Sequence, residues 1–180
     1  EAKISMLTLV ADKLIDAGYV HIGMDHFVKP GDELAIAQRE GKLQRNFQGY
    51  STCMAPDLVG LGVSSISSLS DSFAQNEKDL ESYYDRLDEN VLPISKGIKM
   101  TRDDHLRGSV IAQIICNLEL DIASVEKQFE ISFSDYFSRE LLELKPMEND
   151  GLIYWEDGTL NVTEQGRVML RNICMCFDKY

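Results

Sequence analysis

The chain has 180 residues, 44% of them hydrophobic, which is enough for one sizeable core or two small ones. Its 18 basic and 30 acidic side chains leave a net charge of −12. That charge argues against nucleic acid as a partner, because binding phosphate requires a local cationic surface. No apolar run approaches the ~18 residues of a membrane span, so none is expected.

Four cysteines (Cys53, Cys116, Cys174 and Cys176) do not make a disulfide scaffold in a chain this long, and a reducing cytoplasm is the simpler setting. The N-terminus shows neither a secretory leader pattern nor an initiator methionine, so a fragment or processed product is expected.

Ile4, Leu7, Ala11 and Leu14, flanked by Val10 and Ile15, recur with helical period, and Gly18 ends that helix. Tyr19 to Val28 then reads as one strand. Val20, Ile22, Met24, His26 and Val28 share one face, and Tyr19, His21, Gly23, Asp25 and Phe27 share the other. A helix followed at once by such a strand is the closing unit of an α/β repeat. Asp25 falls near the carboxyl end of that strand, where α/β barrels meet their ligands. The alternative for Asp25 is a cap or a salt bridge to a neighbour.

Pro30-Gly31 forms a turn, Asp32 caps a helix over Glu33 to Glu40, and Gly41 ends it. Arg45-Asn46-Phe47-Gln48-Gly49-Tyr50-Ser51 follows, too polar for a core strand and rich in recognition groups. Leu58 to Ile66 reads as a second strand, interrupted by Gly60 and Gly62, whose spacing signals close backbone approach to a strand or a ligand. Asn76 is expected to cap a helix that buries Leu80, Tyr83, Tyr84 and Leu87. Pro93 closes the region, with a short strand over Ile94, Ile98 and Met100.

Thr101 and Asp104 form a capping box with Asp in place of Glu, opening a helix whose stripe is Leu106, Val110, Ile114, Ile115 and Leu118. Ile122, Val125 and Phe129 mark a second helix. Phe133, Phe137, Leu141 and Leu144 mark a third, broken near Pro146. Asp157-Gly158 between two short strands signals a tight hairpin, and Thr163 starts a last helix burying Leu170, Ile173 and Phe177.

Three helices, a hairpin and a helix follow the winged-helix order, which invites a DNA-binding reading. Charge disfavours it. Between Ile122 and Asp150 three basic side chains (Lys127, Arg139, Lys145) face seven acids, a local charge of −4 on the elements that would meet phosphate.

The sites are sparse. Cys174 and Cys176 stand two apart, so on a helix their thiols diverge and do not share a metal ion. His21, His26 and His105 have no ligand spacing, and on one continuous strand His26 faces away from Asp25. No hydrolase triad can be assembled around the serines of 64–68. Phe47, Gln48 and Ile66 remain. Phe47 and Ile66 suit the faces of an adenine ring, and Gln48 suits its edge. Against this, Phe47 fits a core position and Gln48 a local backbone contact.

Gly23-Met24-Asp25-His26-Phe27, Gln38-Arg39-Glu40-Gly41, Arg45-Asn46-Phe47-Gln48-Gly49-Tyr50, the run Leu58 to Ser67, Thr101-Arg102-Asp103-Asp104 and the run Arg171 to Asp178 together resemble, in the same order, the oxygen-independent coproporphyrinogen III oxidases. These are radical S-adenosylmethionine (SAM) enzymes of haem biosynthesis. The resemblance covers nearly the whole chain and matches the C-terminal part of such an enzyme.

It implies an α+β chain: the last helix-strand unit of a partial (β/α) barrel over 1–30, an active-site extension over 31–100, and a mainly helical, winged-helix-like domain over 101–180. It further implies a 4Fe-4S cluster and SAM, whose reductive cleavage gives a 5′-deoxyadenosyl radical. That radical abstracts hydrogen from a propionate. Two propionates of coproporphyrinogen III are thereby decarboxylated to vinyl groups, giving protoporphyrinogen IX, with an electron-donor protein as partner.

By this resemblance Phe47 and Gln48 are catalytic and SAM-pocket residues and Ile66 is a SAM-pocket residue, while Asp25 is added from its place at the barrel mouth. The family's Cys-x-x-x-Cys-x-x-Cys motif is absent, so the cluster ligands are expected outside this fragment, which alone is expected to be inactive. A haem-binding or haem-delivering relative is the alternative, and it should lack the Arg45 to Tyr50 segment as it stands here.

Overall fold

A computed structural model describes residues 2–53, 55 and 57–179, the side chains of Lys3 and Ile4 excepted. The chain divides into two units: residues 1–53 with 106–180, and residues 54–105.

In the first unit α1 (Ala2–Asp16) buries Ala11 and half-buries Leu7 and Leu14. Ile4, expected on the same stripe, lies outside the described side chains. Gly18, at φ +79°, ends the helix as expected. The single strand expected over Tyr19 to Val28 is instead a hairpin. β1 (Val20–Gly23) and β2 (His26–Val28) pair antiparallel, with Met24-Asp25 as the turn and a bulge between His21 and Gly23. Met24 takes φ +54°, a conformation that carries no sequence signal in a residue of this type.

Asp32 caps α2 (Glu33–Arg39), its carboxylate accepting from Leu34 N at 2.9 Å. β3 (Gln44–Asn46) and β4 (Gly49–Ser51) form a second hairpin around Phe47-Gln48. Ile22, Ala35, Ala37, Leu43 and Cys116 make a small core beneath these elements. Gln38 locks it by donating from one amide to Ile22 O (2.7 Å) and Cys116 O (2.9 Å).

The second unit is a four-stranded antiparallel meander: β5 (Asp57–Leu58), β6 (Ile66–Leu69), β7 (Ser72–Asn76) and β8 (Ile94–Lys99), with α3 (Leu80–Asp88) between the last two. The strand expected over Leu58 to Ile66 is thus only two residues long before the chain turns. Gly60 explains this locally: a Cβ there would meet Ile66 O at 2.8 Å, the close backbone approach its position suggested.

Asn76 is not a cap. Its buried amide donates to Gly60 O, Gly62 O and Ser65 Oγ at 3.3, 2.9 and 3.0 Å, while Asp79 caps α3 through Ser82 N at 2.8 Å. α3 buries none of its residues, and Leu80, Tyr84 and Leu87 are exposed, contrary to expectation.

α4 (Arg102–Asn117) starts on the expected box: Asp104 accepts from Thr101 N and Oγ1, both at 2.7 Å. β9 (Glu119–Asp121), unforeseen from sequence, joins β10 (Ile153–Glu156) and β11 (Thr159–Val162) in the order β10-β11-β9. The Asp157-Gly158 turn takes positive φ at both residues, +47° and +79°, as a two-residue hairpin requires.

α5 (Ile122–Phe129), α6 (Phe133–Tyr136) and α7 (Ser138–Asn149) lead to the hairpin, and α8 (Glu164–Val168) and α9 (Leu170–Met175) follow it. α7 runs through Pro146 rather than breaking there. The ring removes one backbone N–H, and the carbonyl it would have engaged belongs to Leu142, an exposed residue open to water. Thr163 caps α8 through Gly166 N at 3.0 Å.

The core of this region holds Val110, Ile114, Leu120, Phe133, Phe137, Leu160, Ile173 and Phe177. The Phe137 ring lies tilted at 4.6 Å from Phe133 and edge-on at 5.4 Å from Phe177. Arg107 ties the periphery together, bonding Glu140 at 2.8 Å and Phe177 O at 3.0 Å.

Candidate active site

The two hairpins of the first unit meet through Tyr50. Its hydroxyl donates to Ile115 O at 3.0 Å, and burial pushes its pKa up to about 12, so it stays a neutral anchor. Gly23 makes room for it: a Cβ there would meet Tyr50 Oη at 2.6 Å. The His26 ring stands edge-on to Tyr50 at 5.0 Å, and Arg45 lies over the Tyr50 ring at 4.7 Å. The tips of both hairpins are thereby held beside α8 and α9. Between them opens a cleft of about 740 Å³.

Three of the four residues singled out from the sequence line this cleft: Asp25, Phe47 and Gln48. Asp25 sits in a hairpin turn rather than at a strand's carboxyl end, and it accepts a hydrogen bond from His26 Nδ1 at 2.9 Å. The opposite-face argument that separated these two side chains fails because the strand turns back between them. Phe47 is 55% exposed, which removes the core alternative for it. Gln48 N donates to Asn46 Oδ1 at 2.8 Å, fixing the turn through its backbone and leaving its side chain exposed. Ile66, half-buried at the start of β6, belongs to the other unit.

Residues that the sequence did not single out complete the wall. Arg45, Arg167, Arg171, Asn172 and His26 line the cleft, with Leu7, Met24 and Leu170 as apolar floor. Arg167 donates to His21 O at 2.6 Å and pairs with Glu164 at 3.1 Å, tying α8 to β1. Burial holds the neighbouring His21 below its ordinary pKa, while its Nε2 bonds Met24 O at 3.0 Å and its ring stacks on Phe27 at 4.3 Å. The four-residue spacing of Arg167 and Arg171 suggests one face of the single helix expected from Thr163, but Met169 interrupts that helix and leaves Arg167 on α8 and Arg171 on α9.

Among the described residues no group of three or more His, Cys, Asp or Glu side chains is placed to hold a metal ion. Burial pushes the Cys116 and Cys174 thiols up to about 11 and about 12, so both rest as neutral thiols. Likewise no helix among the described residues is long and apolar enough to cross a membrane.

A solvent-open cleft walled by guanidinium groups, amides and an exposed aromatic ring is the candidate ligand-binding site of an α+β scaffold. Residues 100–169 match the family model described as the HemN C-terminal domain.

Over all 180 residues the chain is 49% identical to the oxygen-independent coproporphyrinogen III oxidase of Escherichia coli K12, covering 39% of that protein. It is 46% identical over 184 aligned residues to the enzyme of the same name from Synechocystis, covering all of this chain and 40% of that one. A solved structure, described as coproporphyrinogen III oxidase (HemN) from Escherichia coli, a radical SAM enzyme, superposes with a TM-score of 0.91 at 49% identity. It covers 97% of this chain and 40% of that one. From end to end, then, the chain matches the C-terminal part of the oxygen-independent coproporphyrinogen III oxidases, and it spans about two fifths of the length of these relatives.

Proposed function

We propose that this chain is the C-terminal part of an oxygen-independent coproporphyrinogen III oxidase, the radical SAM enzyme that converts two propionates of coproporphyrinogen III to vinyl groups. The observation that carries this reading is the unbroken 49% identity over all 180 residues. In that reading residues 1–30 close a partial (β/α) barrel, 31–100 extend the active site, and 101–180 form a winged-helix-like C-terminal domain. The protein works in the cytoplasm with SAM, a 4Fe-4S cluster and an electron-donor protein. The cluster and SAM supply the radical, and the cluster's ligands lie outside these residues.

What this chain contributes is the wall of the pocket. The exposed Phe47 ring offers an apolar plane, and Gln48 beside it offers both a donor and an acceptor, which suits the face and edge of an adenine. Ile66, in the other unit, is assigned to SAM binding by the family resemblance alone. Asp25, held against His26, borders the same cleft as Phe47 and Gln48.

Alanine at Phe47 or Gln48 in the intact enzyme should abolish or sharply reduce vinyl product while leaving the cluster's absorbance unchanged. Wild-type turnover in both variants would remove their assigned role. The 180-residue chain alone should neither assemble a stable cluster under anaerobic iron and sulfide nor cleave SAM; a stable cluster on its four cysteines would overturn that.

A further inference from the structure

The cleft inverts the charge of the molecule that contains it. Acids outnumber bases 30 to 18 along the chain, yet the cleft wall carries Arg45, Arg167 and Arg171 against a single carboxylate, Asp25. Asp25 is engaged by His26, and Arg167 by Glu164 and the His21 carbonyl. No carboxylate among the described residues pairs with Arg45 or Arg171.

Arg45 Nη1 is buried without a hydrogen-bond acceptor, a state that costs free energy unless a partner arrives. Arg171, on α9, stands past the Met169 break from Arg167 on α8 and is exposed at the cleft. Two guanidinium groups without a carboxylate partner, Arg45 lying over the Tyr50 ring and Arg171 exposed, are flanked by the Asn172 and Gln48 amides and the exposed Phe47 ring, and they match a ligand with carboxylates on an apolar frame.

Building on the proposed function, we infer that this cleft is a carboxylate subsite in which Arg45 and Arg171 hold the acidic groups of a bound ligand. Two sources of that chemistry exist in the proposed reaction: the propionates of the porphyrinogen and the amino-acid carboxylate of SAM. Both require the same fork of guanidinium donors.

The test uses the intact enzyme, wild type and the variants Arg45→Gln, Arg171→Gln and Arg171→Lys. Coproporphyrin III and its tetramethyl ester are titrated by absorbance, and SAM by equilibrium dialysis. Arg171→Gln, at an exposed position, should keep the wild-type melting temperature. It should weaken one of the two acids by roughly tenfold or more, with part of the affinity restored by lysine.

Weaker coproporphyrin III binding assigns the propionates as the ligand, and in that case the ester should bind wild type and variant alike. Weaker SAM binding assigns the SAM carboxylate. Unchanged affinity for both acids in the glutamine variants of an active enzyme overturns the subsite while leaving the proposed function standing. A folded wild-type enzyme that makes no vinyl product defeats the proposed function, and the subsite falls with it.

Discussion

Residues 54–105 and residues 106–180 are held together by different forces. The second stretch buries three phenylalanines and a run of branched aliphatic residues in one continuous core, with the half-buried Arg107–Glu140 pair at its edge. Among the described residues of 54–105 the buried apolar side chains come down to Pro93. There the fixed points are the strand ladder and one amide, Asn76, gathering three acceptors from the 60–65 turn. One region is cohesive because it excludes water, and the other because its polar groups are satisfied. The first should resist local opening far better than the second.

The largest expected effect falls on the apolar region. Phe137→Ala, which removes a fully buried ring packed on two others, should cost about 3–5 kcal/mol in denaturant titration. A loss below about 1 kcal/mol would mean that the aromatic cluster is not what holds the region.

Asn76→Ala should cost less, about 1–3 kcal/mol, by leaving buried acceptors unpaired. Hydrogen exchange should then accelerate in 54–105 while amides of 106–180 stay protected. Equal acceleration in both would collapse the comparison into one cooperative unit.

Thr163→Ala removes the cap of α8, and about 1 kcal/mol of lost stability should appear within the apolar region alone.

The smallest effect is a pH slope. His21 is held neutral by burial below its ordinary value of 6.5, so as pH falls the unfolded chain takes up the proton first. Its contribution is fully present above that value and is lost as pH falls through the folded one. His21→Gln should flatten this part of the stability–pH curve, and an unchanged curve would remove His21 as its source.

The contrast also explains what the sequence could and could not tell. Stripes of Leu, Ile and Phe announced α4 and α5, and the caps at Asp32, Thr101, Asp104 and Thr163 stand where side-chain chemistry placed them, but the single helix expected from Thr163 is broken at Met169 into α8 and α9. In the polar region the same rules misled. Asn76 stands just before a helix, as a cap would, yet it turns inward to a loop 11–16 residues upstream. That is a long-range choice invisible to local pattern. The Met24-Asp25 reversal was hidden because a methionine, not a glycine, adopts the positive φ.

At the candidate site, Phe47 and Gln48 stood out by residue type and Asp25 by a strand argument that did not survive. The arginines that complete the wall are ordinary in sequence. They become a group only when the fold brings Arg45 to the last helices.

The hydrogen bond from Arg167 to the His21 carbonyl joins positions 146 residues apart. A wall spanning that separation cannot exist on a nascent chain until residues near 172 have left the ribosome. Ligand affinity at this cleft therefore reports that α8 and α9 have been made and docked: a truncated product lacking them keeps both hairpin sequences and has no cleft to fill.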